Sequence, residues 1–131
     1  MIGSQAGTGQ TSSIRLAKSM NVSALFNEIV ELYSKHGWQL RRVLLRPETR
    51  AQFESAPAFE TVPVIASSVD AVWFSRPSHE GREAWELRLL SENPYALFET
   101  FEADEIEEQR DEMRLELENR LRDYVTINRA S

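Results

Sequence analysis

Two histidines, a cluster of arginines and three tryptophans are the side chains of this 131-residue chain best suited to chemistry or binding, and their spacing decides which kind. His36 stands one helical turn after Tyr33 and directly before Gly37-Trp38. A protonated imidazole at that point would interact favourably with the last carbonyls of a helix. The same ring could instead line a ligand pocket, together with Tyr33, between helix and sheet. His79-Glu80, followed by Arg82 and Glu83, sets an imidazole beside carboxylates, the parts of a general base with its orienting group. Adjacent residues seldom converge on one target, however, and a turn is solvated, so decoration of a turn is the plainer reading. Neither histidine belongs to a zinc-ligand spacing. The chain has no cysteine, which excludes disulfides, thiolate metal sites, iron–sulfur clusters and cysteine nucleophiles. No metal, no cofactor and no catalytic residue is assigned.

Arg41, Arg42, Arg46 and Arg50 make the most basic stretch, and Trp38 and Trp73 could serve beside them as stacking platforms for single-stranded RNA. On a strand Arg41 and Arg42 point to opposite faces, so they form one patch only if the chain bulges. An acidic chain also repels a polyanion, and nucleic acid is not the expected partner. The acidic run Asp104 to Glu108 lacks the glycine and the alternating oxygens of a calcium loop and reads as helix N-terminal charge. Ser4-Gln5-Ala6-Gly7-Thr8-Gly9-Gln10-Thr11 has the look of a phosphate-binding loop, but Gln10 replaces the required lysine and only Met1 to Gly3 precede it where a strand is needed.

The elements that must position these groups follow from periodicity. Residues 1–12, rich in Gly, Ser, Thr and Gln, read as a flexible tail. Ile14 and Leu16 alternate with Arg15 and Ala17 as in a strand. Asn21 is an N-cap for a helix carrying Val22, Leu25, Phe26, Ile29, Leu32 and Tyr33 within about 120° of arc. Lys35-His36-Gly37 stops that helix, and Trp38 to Leu45 is the next strand. Pro47 suits the first position of a single helical turn, while Pro57 and Pro63 leave 62–65 at best an edge strand. Val69 to Arg76 alternates with apolar groups on both faces, as in a central strand or a sheet covered on both sides. Trp85, Leu87 and Leu89 return as its hairpin partner, and Tyr95 to Glu102 makes a third strand. Asp104 and Glu107 resemble a capping box, opening a helix to about Tyr124 with Ile106, Met113, Leu117, Leu121 and Tyr124 on one stripe.

Residues 13–77 resemble a group of small, uncharacterised bacterial domains with a strand, a helix ending in a Gly-Trp step, a strand, a loop, and a returning aromatic strand that ends in a basic residue and proline. The matching residues are Ile14-Arg15-Leu16, then Leu32 through Gly37-Trp38-Gln39-Leu40, then Val72-Trp73-Phe74-Ser75-Arg76-Pro77. The chain departs from that group in the long segment between Arg46 and Val69 and in its whole second half. The resemblance implies a fold and brings no activity or site residues.

Composition closes the account. Hydrophobic residues are 41% and charged residues 27%, the balance of a soluble globular protein, and no apolar run approaches the length of a membrane span. With no cysteine and no secretion signal, a reducing cytoplasm is the expected setting. The net charge of −6 divides into +4 over residues 1–50 (seven Lys/Arg, three Asp/Glu) and −10 over 51–131 (eight, eighteen), which permits head-to-tail or self-complementary association. The expected fold is one α+β domain over 13–128, with short tails at 1–12 and 129–131. It has an antiparallel or mixed sheet of about four or five strands and two helices packed on one face. The expected function is non-catalytic: a small interaction or accessory protein that forms a homodimer or binds another protein, with Trp38, Trp73 and Trp85 as partner contacts. The alternatives are a ligand-binding protein or enzyme with a pocket at His36 and Tyr33, and an RNA-binding module through Arg41–Arg50.

Overall fold

A computed structural model describes residues 21–53 and 57–130. The expected tail, its phosphate-loop-like stretch and the strand at Ile14–Leu16 lie outside the described residues. Helix α1 (Val22–Lys35) opens on Asn21, whose Oδ1 accepts from the amide of Ala24 at 3.1 Å. It ends where Gly37 takes φ +85° and the amides of His36, Gly37 and Trp38 turn back onto the carbonyls of Tyr33 and Ser34. That reversal uses the left-handed conformation glycine tolerates and delivers the chain into β1 (Gln39–Leu45). A single turn, α2 (Pro47–Arg50), and a 3-10 turn at Pro57–Glu60 lead to β2 (Val64–Ala66). Strands β3 (Ala71–Pro77), β4 (Glu83–Leu89) and β5 (Ala96–Phe101) then run as an antiparallel meander, and α3 (Glu107–Ala130) closes the molecule.

The α+β architecture is that read from the sequence: one mixed sheet in the order β2-β1-β3-β4-β5, with β1 and β2 parallel and every other pair antiparallel. The helices, however, lie on opposite faces and not on one. Successive strand residues point to opposite sides, and Ala71 to Ser75 of β3 are buried without a break. Val43, Leu45, Val72 and Phe74 pack with Phe26 and Ile29 of α1. Leu44, Ala71, Trp73, Trp85 and Leu87 pack with Leu117 and Leu121 of α3. With large apolar side chains on both faces, a cover on one side alone would leave the second core in water.

Helix α3 departs from its expected ends. The Asp104–Glu107 capping box does not form: Glu105 accepts from the amide of Glu102 at 2.7 Å, and the Ile106 carbonyl takes the first helical amides. The helix also runs beyond Tyr124 to Ala130.

Candidate functional site

The reversal at Gly37 brings together three of the side chains singled out by sequence. Trp38 folds back beside Tyr33, their rings 6.0 Å apart and inclined at 63°. Tyr33 in turn stacks on Phe74 of β3 at 4.2 Å. Two further residues complete the arrangement. The guanidinium of Arg76 lies 4.6 Å from the centre of the Trp38 ring, and its Nη1 donates to the His36 carbonyl at 2.9 Å, capping the end of α1. Glu86, which faces Phe74 across the β3–β4 pairing, accepts the hydroxyl proton of Tyr33. Leu32, Tyr33, His36, Trp38, Arg76 and Glu86 line an open recess of about 430 Å³, within the size range of small-molecule sites.

Burial, followed by the hydrogen bond and the charge of Glu86, pushes the Tyr33 phenol well above its ordinary value. Tyr33 is therefore held as a neutral donor to Glu86. The His36 side chain sits at the exposed end of α1, while its carbonyl is tied down by Arg76. Among the described residues no group of three or more His, Asp or Glu is placed to hold a metal ion.

The other candidates are dispersed. Trp73 and Trp85 are 0% and 4% exposed, beneath α3, with their rings 5.8 Å apart. The indole N–H of Trp73 is taken by Glu118 at 2.8 Å. Neither has surface to offer, which corrects the expectation that they serve as partner contacts; Trp38 alone of the three reaches the surface of the recess. His79 lies in an exposed 3-10 turn where Glu80 takes φ 59° and pairs with Arg82 at 3.3 Å. Of the basic stretch, Arg46 is bound by Asp70 through its amide at 2.8 Å and its Nε at 3.1 Å, and Arg50 lies over Phe59. Arg41 and Arg42 turn instead to the α3 side.

Arg76 and Glu86 were not singled out by sequence as site residues. Arg76 was in view as the basic end of the returning strand, but only the β3–β4 register sets it and Glu86 on the face beneath Tyr33. No known family, curated protein or solved structure matches the chain.

Proposed function

We propose that this chain is a small, non-catalytic interaction protein that associates with a second copy of itself through the free edge of β5. The supporting observation is that, among the described residues, the outer edge of β5 has no partner strand and no helix lies over it on the α1 face. The opposite edge, β2, is three residues long and follows Pro63, both devices that blunt pairing. β5 is six residues long, with no proline, no lysine and no bulge in its pairing to β4. The amide of Leu89 donates to the Tyr95 carbonyl, so the backbone of Leu97, Glu99 and Phe101 faces β4 and that of Ala96, Phe98 and Thr100 faces outward. These outward residues are symmetric about Phe98. A two-fold axis through Phe98 pairs it with Phe98 of the partner subunit and Ala96 with Thr100 of the partner subunit, an isologous arrangement that closes on itself. Phe98 is 58% exposed, and the pairing would set two such rings side by side.

A reducing cytoplasm fits the cysteine-free sequence. Among the described residues no helix is long and apolar enough to cross a membrane. Size-exclusion with light scattering tests the proposal: the expected mass rises with concentration to two chains, and Phe98→Lys returns it to one. A single-chain mass at millimolar concentration would sink the reading. The recess at Tyr33, His36 and Trp38 favours a second reading, a small-ligand binding protein. A small molecule retained in native mass spectra, and lost in Trp38→Ala, would support it.

A further inference from the structure

A second recess lies elsewhere, beside the first half of β1. β2 pairs only with Val43, Leu44 and Leu45, so among the described residues no strand runs along that edge from Gln39 to Arg42. A groove of about 750 Å³ runs there, bounded by Val62 and Pro63 where the chain enters β2. Its two sides differ in chemistry. On the α1 side stand Val30, Leu40, Ala58 and Val62, all packed against the α1 core. On the α3 side stand two arginines that a regular strand would send to opposite faces. The pairing of β1 with β3 shifts register between Leu40 and Arg42, and the extra residue re-aims Arg41. Arg41 reaches within 5.2 Å of the Trp85 ring centre and Arg42 within 3.4 Å of Asp111, both on the α3 face.

We propose that this groove takes an extended segment of a partner protein in which apolar residues alternate with acidic ones. A strand laid beside β1 has a side-chain period of two. One set of its side chains would meet the apolar wall while the alternate set met Arg41 and Arg42. No carboxylate is among the described residues lining the groove, in a chain whose net charge is −6. The Arg42–Asp111 contact is long and exposed, and an exposed pair is readily exchanged for another. The chain's own alternating stretch, Ile14-Arg15-Leu16-Ala17, brings a cation and no carboxylate to the arginine wall. A nucleic acid could use the arginines, but it would leave the apolar wall unmatched.

Fluorescence anisotropy on the full chain tests this with labelled hexapeptides. One alternates Val and Glu, one alternates Val and Lys, and one carries the first composition in two blocks; oligouridine is the fourth probe. The alternating acidic peptide is expected to bind at least about tenfold tighter than either other peptide. The Arg41→Glu/Arg42→Glu variant is expected to invert the preference toward the Val-Lys peptide. Should that variant lose its circular-dichroism signal, Arg41→Gln, altered only at an exposed side chain, must weaken the acidic peptide severalfold. Equal binding of alternating and blocked peptides, an unchanged preference in the variants, or tighter binding of oligouridine than of any peptide would each overturn the proposal.

Discussion

Tyr33 shows how a single residue links the fold to the recess. Its ring completes the α1 core against Phe74, while its hydroxyl reaches Glu86. Because the folded state raises the phenol's pKa, the folded chain holds its proton where the unfolded chain releases it. Stability from this source is complete below the ordinary phenol value of about 10 and is lost as pH rises beyond it. Tyr33→Phe removes that dependence. Between pH 8 and pH 11 the wild type should therefore lose more of its melting temperature than Tyr33→Phe, and equal losses would show the phenol to be uncoupled from folding. Gly37 makes a complementary case. Nothing stands within 4 Å of where a Cβ would be, so crowding is absent and only φ +85° opposes a side chain. Gly37→Ala should cost about 1 kcal/mol in denaturant unfolding, and Gly37→Asn less, since asparagine tolerates the left-handed region. Half of the recess was legible in sequence for this reason: Tyr33, His36, Gly37 and Trp38 are local, and helix spacing with a glycine stop places them together. Arg76 lies 40 residues from His36, and Glu86 lies 53 from Tyr33. Their arrival depends on strand register, which periodicity does not specify.

Among the elements, α3 shows where hydrophobic patterning misleads. The apolar stripe correctly names Leu117 and Leu121, at 2% and 0% exposure, but Ile106 at its head is 56% exposed. The place facing Trp85 and Phe101 is taken instead by Arg114, which is 1% exposed. Its guanidinium lies 4.4 Å from the Trp85 ring centre and 5.5 Å from that of Phe101. It pairs with Glu107 and with Asp111, the latter at 2.9 Å, while its Nε is buried without a hydrogen-bond partner. A pattern that classes arginine as polar cannot anticipate this, because a flat, weakly hydrated cation on a long apolar stem packs on aromatic faces. The carboxylate partners are mostly exposed and would return to water without it. Arg114→Met, which keeps the stem's volume and removes the orphaned Nε, should then stay within about 1 kcal/mol of wild type. Arg114→Ala opens a cavity against two rings and should cost about 2–4 kcal/mol. Urea unfolding of the two variants separates packing from charge: equal, large losses would mean that the ion pairs hold α3 in place.

For the molecule as a whole, the decisive feature is that the two covers are staggered. α1 shelters β2, β1 and β3 on one face, and α3 shelters β1, β3, β4 and β5 on the other. Among the described residues no helix lies over β5 on the α1 face, where Phe98 stands 58% exposed, while β4 on that face is reached only through Tyr33 at Glu86. The apolar residues on both faces of β3 pointed to two covers, but which strands each helix would reach depends on how far the meander extends beyond β3. Pairing of β5 with its counterpart would join the two open faces of β5 into a trough walled by α1 of each copy, within a continuous sheet about 43 Å across its strands. The backbone phase of β5 then makes a prediction that a mass measurement cannot. In the separate chain the amides of Leu97, Glu99 and Phe101 face β4 and should resist hydrogen exchange at all concentrations. Those of Ala96 and Phe98 point away from β4 and, among the described residues, that of Thr100 is held only by Glu99 at 3.3 Å, so all three should exchange freely when dilute. On association the outward three should slow together, removing the alternation along the strand, and Phe98→Lys should restore it. A chain that doubles its mass while the alternation persists would be pairing through some other surface, and the edge of β5 would be excluded as the contact.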